Sequence, residues 1–281
     1  MVCDIGLDTY TVLLTNYCMS DAPARLIAPI SLTSHRKVYF ASDFHLENAT
    51  ADGDRQRERL AVRWLDSIAH DAEAVFLLGD TFDFWFEYRQ VVPRGAVRFL
   101  GKLAELADQG IAIYLFTGNH DMWLSDYLPQ ELGVAIVRQP LSFIIHEQRF
   151  HVGHGDGLGP GDYQYKFIKR FFASRLCQRL FAGLHPDWGV GLARRWSAHS
   201  RRKNSQRDEP FRTKEEEWIY QYCASLEQQQ HHDYYIFGHR HLVLDIPLGK
   251  NSRYINTGEW FTQGHFASYD GQTLSLKPFE P

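Results

Sequence analysis

The sequence has little that would staple, anchor or unfold it. Its 281 residues include four cysteines (Cys3, Cys18, Cys177 and Cys223), with no Cys-x-x-Cys pair and no regular spacing. That excludes a disulfide framework and a thiolate metal site, and leaves free thiols in a reducing compartment. No apolar run approaches the ~18–20 residues a membrane-spanning helix needs. The opening residues lack the basic start and continuous apolar stretch of a signal peptide; residues 1–34 read as an N-terminal extension in which Met19 offers a second start. Positive charge is not in excess either: 30 Lys+Arg against 34 Asp+Glu leave a net −4, so no global field marks a nucleic-acid binder. Repeats and low-complexity tracts are missing beyond Gln228-Gln229-Gln230. What is there is 44% hydrophobic residues, 14% aromatics and 14 His, in a chain long enough for a sizeable core.

Apolar strands alternate with helices in the first half. Lys37 to Ser42 reads as a strand, Arg55 to His70 as a helix with Leu60, Trp64, Leu65 and Ile68 on one face, and Ala74 to Leu78 as the next strand. Val97 to Gly110 reads as a helix with Phe99, Leu103 and Leu106 inward and Gly110 as its stop, followed by a strand over Ile111 to Phe116. The alternation predicts an α/β sandwich with its central strands covered on both faces. Beyond it, Leu141 to Val152 predicts a hairpin turning at Glu147-Gln148, and Tyr234 to Phe237, Arg253 to Asn256 and His265 to Tyr269 predict further strands. The domain reading is a core of 35–157 and 231–281, interrupted by a helical cap over 158–230.

Five short motifs follow the strands: Asp43-x-His45, Gly79-Asp80-x-x-Asp83, Gly118-Asn119-His120-Asp121, Gly153-His154-Gly155-Asp156 and Gly238-His239-Arg240-His241. Singly, each is ordinary: Asp-x-His is commonly a surface pair, and Gly-Asp after a strand is commonly a turn. Together they are not. In open α/β sheets the carboxyl ends of the strands form the ligand crevice, so separate strands can aim these side chains at one point. Carboxylate, amide oxygen and imidazole make an O/N set suited to manganese, iron, zinc or cobalt. A two-oxygen carboxylate can bridge two such ions at ~3.5–4 Å, the spacing that clamps a transferring phosphoryl group.

The ordered set resembles the calcineurin-like metallophosphoesterase superfamily over nearly all of residues 36–270. The resemblance implies a four-layer α/β/β/α sandwich with two divalent metal ions, manganese foremost. By motif, Asp43, His45 and His241 would bind one metal, Asn119, His154 and His239 the other, and Asp80 would bridge them. It also implies in-line attack on phosphorus by metal-activated water. His120 is then the catalytic histidine that assists the transition state, Asp121 the residue that orients its ring, and Asp83 a hydrogen-bonding support for a metal ligand.

The cap is where substrate information lies. Residues 158–203 carry ten Lys/Arg against Asp162 and Asp187, a local +8 in a chain of net −4. They interleave with Phe167, Ile168, Phe171, Phe172 and Leu176, the pattern of an interfacial, lipid-facing helix. A flap that merely sheds water is the other reading, but it needs no such charge beside an anionic substrate. A cap after Gly-His-Gly-Asp resembles the UDP-2,3-diacylglucosamine hydrolases, which implies cleavage of a lipid-linked nucleotide diphosphate to UMP and 2,3-diacylglucosamine 1-phosphate. Asp162, Tyr165, Arg194, Ser197 and Arg201, together with Asn119, His120 and His239, would contact that substrate. Where well-known members of that family have Arg after the motif's Asn, this chain has His120, the general superfamily residue. The expected setting is cytoplasmic, peripheral on the inner face of the inner membrane, with no nucleic-acid partner. The competing readings are a soluble metallophosphoesterase acting on another nucleotide or phosphoester, and a metal-stabilised scaffold without activity.

Overall fold

The computed structural model describes residues 29–47, 52–161, 163–205, 211, 213–262 and 264–281. Of the expected 1–34 extension, residues 1–28 lie outside them; Ile30 forms a parallel bridge with Ile145.

Three βαβ crossovers build one sheet. Strands β1 (Lys37–Ala41), β2 (Ala72–Leu77), β3 (Ala112–Phe116) and β4 (Ala135–Val137) run parallel, joined by helices α1 (Asp52–Ile68), α2 (Val97–Asp108) and α3 (Tyr127–Leu132). The order is β11-β10-β1-β2-β3-β4, where β10 (His265–Tyr269) and β11 (Leu274–Pro278) add antiparallel edges. The second sheet has the order β5-β6-β7-β9-β8, with β5 (Leu141–Ile145), β6 (Gln148–Val152), β7 (Tyr234–Phe237), β8 (Val243–Leu248) and β9 (Ser252–Thr257).

The sheets pack face to face through Phe40, Phe76, Phe143, Phe150 and Ile236, all fully buried. Phe40 stacks on Phe76 at 5.0 Å within one sheet and on Phe150 at 5.7 Å across the interface. Helices α1 to α3 cover the outer face of the first sheet through Trp64, Leu65, Phe99, Leu103, Leu106 and Leu128. Helix α7 (Trp218–Glu227) covers the second, burying Ile219 and Cys223. The result is the four-layer α/β/β/α arrangement. Each fully buried Phe or Leu in it removes enough apolar surface to contribute roughly 1.5–3 kcal/mol, which fixes the strand ends that carry the site.

Two local expectations change. The β5–β6 hairpin turns at His146-Glu147, one residue earlier than the expected Glu147-Gln148; both residues have positive φ, 45° and 73°, the conformation that matches a two-residue turn to strand twist. Helix α7, inside the expected 158–230 cap, is packed on the sandwich, while α4 (Tyr163–Phe172), α5 (Arg175–Ala182) and α6 (Pro186–Ser205) form the projecting part. Among the described residues no helix is long and apolar enough to cross a membrane.

Candidate active site

The five motifs meet. Asp43 and His45 follow β1, Asp80 follows β2, Asn119 and His120 follow β3, His154 follows β6, and His239 and His241 follow β7. Asp43, His45 and His241 have ligand-type atoms within 4.8 Å of one another, as do Asp80, His154 and His239, and His45, Asp80 and His120. Asp80 joins the groups: its Oδ2 lies 3.7 Å from His45 Nε2 and 3.4 Å from His154 Nε2. Asn119 Oδ1 is 3.2 Å from the same His154 nitrogen.

The His154 and His45 rings each turn one nitrogen to the cluster. His154 Nδ1 lies 2.9 Å from the Leu78 carbonyl, which can only accept, so the proton sits on Nδ1 and Nε2 is turned inward. Asp83 Oδ1 approaches His45 Nδ1 to 3.3 Å, an ion-pair contact without hydrogen-bond geometry, on the side of the ring opposite Nε2. Asp43 Oδ2 accepts from the His239 amide at 2.9 Å and from the Ser42 hydroxyl, and Asp80 Oδ1 accepts from the His120 amide at 2.8 Å.

The backbone here is held in an unfavourable region. Asp43, His45, Asp80, His239 and His241 all have positive φ, between 45° and 69°, at a cost of about 1–2 kcal/mol each for a residue with a Cβ. The donor residues themselves take the sharp turns, Asp80 directly after Gly79 at φ 90°, because turn and side chain are needed at one position. The glycines serve mainly as clearance. A Cβ on Gly118 would collide with Asp80 Oδ1 and the Asp80 amide, and one on Gly79 would collide with the His154 ring.

The electrostatics suit divalent cations. Burial pushes the Asp43 carboxyl up, but His241 and His45 outweigh it and hold it well below the usual range. Burial opposes charge on His154, yet the Asp80 carboxylate raises its pKa to about 10. Burial and the His154 charge depress His239 to about 4. The Asp43 carboxyl therefore stays ionised and the Asp80 carboxylate draws a proton onto His154, a demand for positive charge that a cation meets better. Asp43 Oδ1 is buried without a hydrogen-bond partner, 3.3 Å from His241 Nε2. An uncompensated buried carboxylate oxygen is costly unless it ligates, so the donor set fits the metals the sequence implied.

One role is corrected. Asp121 does not orient the His120 ring: its carboxylate accepts from the Gly118 amide at 2.7 Å, Thr81 at 2.8 Å and Phe82 at 3.2 Å, tying the β2 and β3 loops together. Burial and the Asp80 charge push its carboxyl up to about 7. The His120 ring is instead flanked by the Ser197 hydroxyl and the Asp83 backbone. Tyr165 donates to Asp156 Oδ2 at 2.6 Å, and Lys169 pairs with the same oxygen at 2.7 Å. Those two cap residues thus brace the Asp of Gly-His-Gly-Asp, for which the sequence offered no role. Arg194 and Arg201 lie on α6; Asp162 lies outside the described residues.

The cap leaves an apolar ridge on each helix: Tyr163, Phe167 and Phe171 on α4, Leu176 and Leu180 on α5, and Trp188 and Leu192 on α6, all exposed at the i, i+4 spacing of one helix face. Arg170, Arg175, Arg179 and Arg195 are exposed among them.

With this fold and these donors in view, the chain belongs to the calcineurin-like phosphoesterase family, whose model matches residues 36–243. It is a metal-dependent hydrolase of phosphoesters. Its similarity to curated proteins is near full length: a UDP-2,3-diacylglucosamine hydrolase of Porphyromonas gingivalis is 39% identical over 264 residues, covering 87% of this chain and 98% of that protein. A second, from Shewanella pealeana, is 25% identical over 86% of this chain and 99% of its own. Among solved structures, a dimetal phosphatase from Danio rerio aligns with 88% of this chain and 96% of its own at 13% identity and a TM-score of 0.43.

Proposed function

We propose that the protein hydrolyses the pyrophosphate bond of UDP-2,3-diacylglucosamine, releasing UMP and 2,3-diacylglucosamine 1-phosphate. What carries this reading is the 39% identity to a hydrolase of that name across 98% of its length. The cap supports it: a basic, apolar surface begins just after His154, so an acylated and anionic substrate has a place for each of its parts.

In this reading Asp43, His45 and His241 hold one cation, Asn119, His154 and His239 the second, and Asp80 is shared between them. Two divalent ions, manganese proposed, supply Lewis-acid neutralisation of phosphoryl charge and a more acidic water. His120 stabilises the developing charge and protonates the departing phosphate oxygen. Asp83 keeps the His45 ring aimed inward. Tyr165, Arg194 and Arg201, with Asp162, receive the sugar and nucleotide. The exposed ridges of α4 to α6 take up acyl chains and rest on an anionic lipid surface, with the exposed arginines beside the headgroups. The protein accordingly works in the cytoplasm, peripheral on the inner face of the inner membrane.

The deciding assay incubates the manganese-loaded protein with UDP-2,3-diacylglucosamine in detergent micelles and quantifies UMP by chromatography. Release that requires metal supports the proposal; an untouched lipid after hours removes this substrate. Co-flotation with anionic vesicles, weakening as salt rises, supports the membrane arm, whereas a preference for DNA over vesicles overturns it.

A further inference from the structure

The cap reaches the donor cluster through one buried hydroxyl. Ser197 lies on α6, beyond the exposed Trp188 and Leu192, and is itself only 5% exposed. Its Oγ is 2.8 Å from His120 Nδ1 and donates to the Asp83 carbonyl oxygen at 3.0 Å. His120 Nδ1 lies 3.1 Å from that same carbonyl. A carbonyl oxygen only accepts, and the single hydroxyl proton is already directed to it, so Nδ1 must carry a hydrogen and give it to this pair of oxygens. The ring then keeps a hydrogen on Nδ1 and turns Nε2 to the reacting groups, where it donates to the leaving oxygen once a second proton has made the ring an imidazolium.

The same two core segments seat the cap. Phe181 of α5 packs at 4.7 Å from Phe86 and 4.8 Å from Trp123, and Trp123 Nε1 donates to the Phe172 carbonyl at 2.8 Å. Phe86 lies three residues after Asp83, and Trp123 three after His120. Displacing the cap would therefore disturb both the aromatic seat and the hydroxyl that meets the histidine.

We infer that Ser197 is a positioning residue: through Ser197, Asp83 and His120, the cap helix sets the tautomer and orientation of the His120 imidazole, so the histidine is poised when the cap is seated. This rests on the reading above that His120 serves phosphoryl transfer. It differs from the expectation that Ser197 binds substrate, because its hydroxyl is engaged by the protein itself.

A double-mutant cycle separates the two roles. Ser197→Ala, His120→Ala and the double variant are assayed on the lipid and on bis(p-nitrophenyl) phosphate, a soluble diester that remains informative if the lipid is not the substrate. Ser197→Ala should lower kcat by ~10–100-fold, the range typical of residues that orient a functional histidine, with KM within about twofold. In the His120→Ala background it should change kcat by less than about twofold, since residues acting through one another are non-additive. A loss that persists undiminished without His120, or one confined to KM, overturns the inference in favour of direct substrate contact. Long-range 1H–15N correlation of the His120 ring needs no turnover. The native, full-length protein should show Nδ1–H, and Ser197→Ala, which leaves only the Asp83 carbonyl of that pair, should shift the Nδ1 resonance; an unshifted resonance, or an Nε2–H ring in the native protein, also overturns it.

Discussion

The strand tips and the cap face the same centre and are built on opposite terms. At the tips, Asp43, His45, Asp80 and His154 are buried, and each has a backbone amide, carbonyl or carboxylate holding one of its atoms. In the cap, Tyr163, Phe167 and Trp188 are 79%, 74% and 76% exposed. The difference follows from what each region must do. Donors that share cations are useful only when their atoms are fixed relative to one another, and burial with hydrogen bonding supplies that. A surface proposed to receive acyl chains must keep apolar area uncovered, and a charged rim keeps such area from sticking indiscriminately. Where the regions touch, at Ser197 and at the Tyr165–Lys169–Asp156 contacts, the loose region is bound to the rigid one.

The strongest way to break the contrast is to remove the donor that joins the tips. Asp80→Ala should lower kcat by at least ~10³-fold, because it removes the carboxylate proposed to be shared by two metal ions, and calorimetry with manganese should show fewer than two ions bound. A variant retaining two tightly held ions and near-native turnover would refute the bridging assignment. Next in size is a change that adds no chemistry. Gly118→Ala puts a methyl against Asp80, and a displacement of that carboxylate on the order of 1 Å should cost ~10²-fold in kcat, with the fold intact by circular dichroism.

The cap should respond differently. Replacing Phe167 and Trp188 by Ser should reduce the ratio of micellar-lipid to soluble-diester kcat/KM by roughly tenfold, the scale of losing about 1.4 kcal/mol of apolar contact. An equal loss on both substrates would show that the ridges act on the chemistry instead.

The smallest effect belongs to a buried histidine in neither region. His151 is 1% exposed, hydrogen-bonded to Ser142 and Tyr222, and burial with the neighbouring His232 depresses its pKa to about 3. Below about pH 6.5 the unfolded chain takes up a proton that the native chain refuses until about pH 3. Stability is therefore full above pH 6.5 and falls by about 1.4 kcal/mol per unit as the pH drops between those values. Urea unfolding at pH 7.5 and 5.5 should show that loss in the native protein and less of it in His151→Gln.

Much of this was readable beforehand. Strands β7 and β10 fall on the residues expected for them, and α2 buries the expected Phe99, Leu103 and Leu106. Strands β4, β8 and β11 and helix α3 were not foreseen. Such elements are short or lie at sheet edges, where half-exposed residues blur the apolar pattern; β8 carries Asp245 and Pro247 within its six residues. The left-handed backbone at Asp43, His45, Asp80, His239 and His241 was not foreseen either, since Asp and His adopt positive φ more often than most residues but far less regularly than glycine. The role that the resemblance implied for Asp121 does not hold, because its carboxylate is directed to three backbone amides.

The sequence alone determined the chemistry: oxygen and imidazole donors in order at strand ends, and a charged apolar insertion between two of them, are properties of residue type and spacing. Only the tertiary structure decided which oxygen of Asp80 faces both sides, that α7 belongs to the sandwich, and that a cap serine meets His120. Those facts depend on contacts between segments far apart in the chain, where packing fixes distances that local pattern does not encode.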